Sequence, residues 1–106
     1  MALSDDANFV REDVTTLDAI IIDVRTPEEF AGGHLDGAVL IDFRDESFDQ
    51  NIAALNPDVS YIVYCRSGNR SAQAAQRMRA VGIIDITDLG SLENASAETG
   101  INIVNS

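Results

Sequence analysis

"YIVYCRSGNRSAQAAQRMRAVG", residues 61–82, changes its period halfway along. Tyr61 to Tyr64 are all β-branched or aromatic, the composition of a strand. From Ser71 to Val81 the apolar positions fall at Ala74, Ala75, Met78 and Val81. That i, i+1, i+4, i+7 stripe predicts a helix with one face packed on a sheet, and Gly82 is placed to end it. Cys65, Arg66, Ser67, Gly68, Asn69 and Arg70 lie between the two patterns. A strand passing through so short a loop into a helix is half of a parallel α/β unit, so this stretch decides the fold class.

The same alternation extends in both directions. Upstream, residues 19–24 (AIIIDV) form an aliphatic run, the signature of a strand buried on both faces. In the TPEEFAGG that follows, Thr26 suits an N-cap, Pro27 the first helical position, and Glu29 the third residue of a capping box. Gly32 and Gly33 stop that short helix. Residues 38–42 (AVLID) read as a second strand. Residues 46–55 read as a helix with Phe48, Ile52 and Leu55 on one side, and Asn56-Pro57-Asp58 breaks the chain. Downstream, residues 83–89 (IIDITDL) read as another strand and LENASAETG as a last short helix. The expectation is one α/β domain over residues 1–106, three layers α/β/α, around a mostly parallel sheet of four to five strands.

Totals narrow the function classes. The 106 residues carry 18 acidic and 7 basic side chains, a net charge of -11, and every basic residue is arginine. Such a surface repels nucleic acid and anionic membranes, both of which need cations to displace counterions. No run approaches the roughly 18 apolar residues of a membrane span. MALSDDANFVRED lacks the basic-then-apolar pattern of a signal peptide. A single cysteine allows no internal disulfide, which fits a reducing cytoplasm.

That cysteine, Cys65, stands where ligands gather in open α/β sheets, outside the carboxyl end of a strand. The loop after it contains Gly68, so successive amide N–H groups can turn toward one centre and feed a helix N-terminus. Arg66 and Arg70 add formal positive charge nearby. Each effect favours S⁻ over SH, which predicts a nucleophilic thiol near neutral pH without a histidine to deprotonate it. A buried filler would not explain two arginines, a glycine and two serines in the next six positions.

"IIDVRTPEEFAGGHLDGAVLIDF" (21–43) and "YIVYCRSGNRSAQAAQRM" (61–78) resemble a rhodanese domain of the single-domain sulfurtransferase type, over roughly residues 19–92. C-R-S-G-N-R-S matches the family's active-site loop position by position. D-V-R-x-P-x-E-F and G-H-L-x-G-A are supporting signatures. The resemblance implies a thiosulfate-type sulfurtransferase in which Cys65 carries a persulfide between donor and acceptor. Arg66, Ser67, Gly68, Asn69, Arg70 and Ser71 would then cradle the sulfur and an incoming anion. It implies a small anionic sulfur donor, an acceptor thiol such as that of a thioredoxin-like protein, a monomer or weak homodimer, and neither metal nor organic cofactor.

Two other functions use the same elements. A phosphatase or arsenate reductase of the superfamily carries Cys-x5-Arg and usually a histidine before the cysteine, whereas this chain has Cys-x4-Arg and Tyr64. A non-catalytic rhodanese-like module is usually marked by loss of the cysteine, which is present. His34 is read as a structural residue bonding backbone between two turns, since one histidine and one cysteine 31 positions apart lack metal-ligand spacing. Asp23 and Arg25, two apart at a strand end, leave the same face and are read as an ion pair that orders neighbouring loops. Asp42, Asp45, Glu46 and Asp49 are read as a solvated face. After the last strand the family commonly has Gly-Gly and, four residues on, tryptophan. Here stand Gly90-Ser91 and Ala95, predicting a strained turn at Ser91 and a lost packing anchor.

Overall fold

The computed structural model describes residues 19–105; the expectation of no signal peptide falls on the first 13 residues, outside that range. The aliphatic run forms β1 (Ile20–Asp23), followed by α1 (Pro27–Gly32), β2 (His34–Leu35) and β3 (Val39–Leu40). Next come α2 (Phe48–Ala53), β4 (Tyr61–Cys65) and α3 (Asn69–Ala80). The chain closes with β5 (Ile86–Ser91), α4 (Leu92–Thr99) and β6 (Ile103–Val104). The central sheet has the order β3-β1-β4-β5 and every pairing in it is parallel. β2 and β6 form a separate antiparallel pair, His34 opposite Val104 and Leu35 opposite Ile103.

Strand alternation divides the core in two. Ile22, Val24, Tyr61, Val63 and Cys65 face one side, where Phe48 and Ile52 of α2 and Ala74, Ala75 and Met78 of α3 cover them. Ile21, Ile62 and Tyr64 face the other side, with Leu35 and with Leu92 and Ala95 of α4. Helices on both faces of a four-stranded parallel sheet make the three-layer α/β/α arrangement. No helix among the described residues is long and apolar enough to cross a membrane.

The caps explain where the helices begin. At α1 the Thr26 Oγ1 accepts the Glu29 N–H at 3.2 Å and the Glu29 carboxylate accepts the Thr26 N–H at 3.1 Å, completing the capping box. α3 starts at Asn69, two residues earlier than the expected Ser71, because Gly68 at φ +98° supplies the turn into it. Ser91 corrects the expectation of a strained turn. The left-handed position belongs to Gly90 (φ +77°), whereas Ser91 is extended (φ -86°, ψ 162°) and caps α4, accepting the Asn94 N–H at 3.0 Å. Ala95 is fully buried.

Candidate active site

Cys65 ends β4, an interior strand, and its side chain is fully buried on the α3 side of the sheet. The loop folds back over the sulfur. Gly68 takes a left-handed conformation open to glycine without a Cβ clash, and this directs its N–H to Sγ at 2.9 Å. Ser71, buried in the first turn of α3, places Oγ 3.6 Å from Sγ. Burial alone pushes the thiol pKa up. The Ser71 hydroxyl, with the backbone N–H groups of Ser71, Gly68 and Ser67, outweighs it, so the net shift is downward. Of residues 65–71, Ser67, Gly68 and Ser71 therefore converge on the Cys65 sulfur, through backbone N–H groups and the Ser71 hydroxyl.

Their side chains divide. Those of Arg66 and Ser67 are exposed, and Arg66 lines an open depression with Arg25, Glu28, Glu29 and Glu93. Asn69 is also exposed, its Oδ1 accepting from Gln73 Nε2 at 3.3 Å along the helix surface. Arg70 reaches back to α1, where Nη1 and Nη2 donate to the two carboxylate oxygens of Glu29 at 2.9 and 3.0 Å. Arg70 holds the Glu29 carboxyl down at about 2 against the desolvation that opposes it, and Thr26 adds further bonds. The positive charge of Arg70 is thus offset by a carboxylate that sequence reasoning assigned only to a cap.

A second network braces the loops around the site. Asp23, fully buried, takes a two-pronged ion pair from Arg25, with Nη2 to Oδ2 at 2.7 Å and Nε to Oδ1 at 2.9 Å. Arg25 Nη2 also donates to the Gly33 carbonyl, tying the start of α1 to its end. The guanidinium lies 5.6 Å over the Tyr64 ring, and the Tyr64 hydroxyl accepts the Leu35 N–H at 3.0 Å. Burial pushes the Tyr64 phenol well up, with the Asp23 carboxylate adding to the shift, so it stays neutral. Asp23 and Arg25 pair as expected, and through the Gly33 carbonyl they tie the end of β1 to the end of α1.

His34 bonds the Phe30 carbonyl through Nδ1 at 2.7 Å and stacks on the Phe30 ring, centroids 3.7 Å apart. That is a structural position. Among the described residues, no three His, Cys, Asp or Glu side chains group as metal ligands would. Sequence reasoning missed Asp88 altogether. Its carboxylate, at the edge strand β5, accepts the Ser71 hydroxyl at 2.7 Å and the Gly90 N–H at 2.9 Å. An aspartate near a strand's carboxyl end was the available signal.

Comparison with known proteins agrees with this geometry. Residues 6–98 match the profile of the rhodanese-like domain. The thiosulfate sulfurtransferase GlpE of Pseudomonas aeruginosa is 37% identical over 71 residues, which cover 67% of this chain and 63% of that protein. The probable adenylyltransferase/sulfurtransferase MoeZ of Mycobacterium tuberculosis is 36% identical over 69 residues, 65% of this chain and 18% of that protein. The chain thus spans less than two thirds of the length of these relatives. A rhodanese from Escherichia coli solved with anions superposes with a TM-score of 0.69 at 25% identity, covering 83% of this chain and 99% of that one. On profile, fold and loop together, the chain belongs to the rhodanese-like domain family.

Proposed function

We propose that this chain is a thiosulfate-type sulfurtransferase that works by a ping-pong mechanism through a Cys65 persulfide. The Gly68 N–H, 2.9 Å from Sγ, is the observation that carries the reading, because it favours a thiolate on a buried sulfur. The thiolate attacks the outer sulfur of thiosulfate, and a Cys65 Sγ–S bond forms. The donor S–S bond breaks, sulfite leaves with the electron pair, and the enzyme holds Cys65–S–S⁻. Loop N–H groups that stabilise the thiolate are also in place to stabilise charge on the added sulfur. An acceptor nucleophile then attacks the outer sulfur, breaks the Sγ–S bond and restores the thiolate. Cyanide serves in an assay; a small-molecule or protein thiol, such as that of a thioredoxin-like protein, fits the same step in a reducing cytoplasm.

The loop spacing supports sulfur over phosphate as cargo. A loop whose Gly68 amide already touches Sγ closes around one sulfur atom more readily than around a tetrahedral oxyanion. Intact mass spectrometry after thiosulfate treatment tests the proposal. One sulfur should be added, cyanide should remove it as thiocyanate, and Cys65→Ser should abolish both steps while remaining folded. Turnover by that variant would overturn the assignment.

A further inference from the structure

The Ser71 hydroxyl has more partners than protons. Its Oγ lies 2.7 Å from Asp88 Oδ1, 3.2 Å from the Gly68 carbonyl and 3.6 Å from Cys65 Sγ. All three neighbours can accept, and a hydroxyl donates once. The carboxylate is both the nearest and the charged one, and a charge-assisted bond is roughly twice as strong as a neutral one. While Asp88 is ionised it takes the proton, and the oxygen lone pairs are left facing the sulfur.

We propose that Asp88 is a positioning residue for the Cys65 nucleophile: it holds the Ser71 proton away from the sulfur and so withholds one donor from the thiolate. The consequence is kinetic. A thiolate wrapped in donors is well populated but a weak nucleophile, since nucleophilicity falls with pKa with a Brønsted coefficient of about 0.4–0.5. The attacking thiol works best with its pKa near ambient pH. The Ser71 hydroxyl and the amides of Ser71, Gly68 and Ser67 draw the thiol pKa down, and Asp88, by competing for the hydroxyl proton at 2.7 Å, limits how far the hydroxyl adds to that. Other charges on the elements packed around this triad are Arg70 of α3 with its partner Glu29 of α1, and Asp23 of β1 with Arg25 of the loop that follows it. Glu93 of α4 and Arg66 of the loop stand at the depression. Asp88 is the described carboxylate that reaches the sulfur through a single hydroxyl.

The inference takes Cys65 as the nucleophile of the proposed transfer, and its test reads the thiol rather than turnover, so either idea can fail alone. The rate of iodoacetamide alkylation is measured against pH for the native chain and for Asp88→Ala, Asp88→Asn, Ser71→Ala and the double variant Asp88→Ala/Ser71→Ala. Asp88→Ala should lower the midpoint by about one pH unit and lower the high-pH plateau by about threefold, as the Brønsted coefficient requires. Asp88→Asn keeps an acceptor for the Gly90 N–H and should shift the midpoint the same way by less. In the Ser71→Ala background the Asp88→Ala shift should shrink by more than half. An unchanged or raised midpoint in both Asp88 variants overturns the proposal. So does an undiminished shift without the Ser71 hydroxyl, which would make Asp88 a through-space charge only.

Discussion

At the scale of single residues, Glu29 does the most with one side chain. It closes the capping box of α1 and accepts from both Nη groups of Arg70 in α3, 41 positions away. Its folded pKa of about 2 lies below the usual 4.5, so its contribution to stability is complete above about pH 4.5 and is lost as pH falls toward 2. Linkage alone caps that contribution at about 3 kcal/mol, and partial exposure of the pair reduces it. Glu29→Gln should therefore destabilise the protein by about 1–2 kcal/mol at pH 7, measured by urea unfolding. The gap between native and variant should close between pH 4.5 and 2. A gap independent of pH would mean that packing and not charge holds the two helices. The exposed Arg77–Asp49 pair, at 3.1 Å, offers the contrast, since both side chains are half or more in water and contribute little.

At the scale of elements, the decisive feature is the turn from β4 into α3. Gly68→Ala leaves the added Cβ in ordinary contact, 3.5 Å from the Gly90 Cα, so crowding is not the difficulty. The positive φ is: an alanine held there costs about 1–2 kcal/mol. Relaxing the turn should also move the N–H off Sγ and raise the alkylation midpoint of Cys65. Equal stability with an unchanged midpoint would show that the left-handed turn does not set the thiol. The elements legible in the sequence were those with a local rule. The aliphatic run of β1, the Thr26–Glu29 box and the Ala74–Met78 stripe each declare themselves within a few residues. β2 and β6 are two residues each and pair across almost seventy positions of chain, so no period announces them. Cys65 and its amide loop were readable for the same local reason. Glu29 opposite Arg70 and Asp88 on Ser71 were not, because partners 41 and 17 apart meet only in the fold. The expected strain at Ser91 failed because Gly90 already occupies the left-handed position.

At the scale of the whole molecule, the net charge of -11 works against the anionic donor of the proposed transfer, and with Arg70 offset by Glu29 local attraction is modest. The Debye length is about 30 Å at 0.01 M salt and about 8 Å at 0.15 M, so salt masks the distant acids more than charges beside a bound anion. kcat/KM for thiosulfate should rise a few-fold between those ionic strengths. A steady fall would show that the loop cations set the field met by the donor.

The closed loop over Cys65 also bears on oxidation. Its sulfur is fully buried and is the one thiol among these 106 residues. A sulfenic acid formed there has no second cysteine among these 106 residues, so its return through a disulfide needs a thiol from beyond them. Without one, the next oxidant carries it to the sulfinic acid, which does not return. Under the proposed transfer, the reduced thiol and the persulfide are the forms from which this sulfur can still return to the cycle.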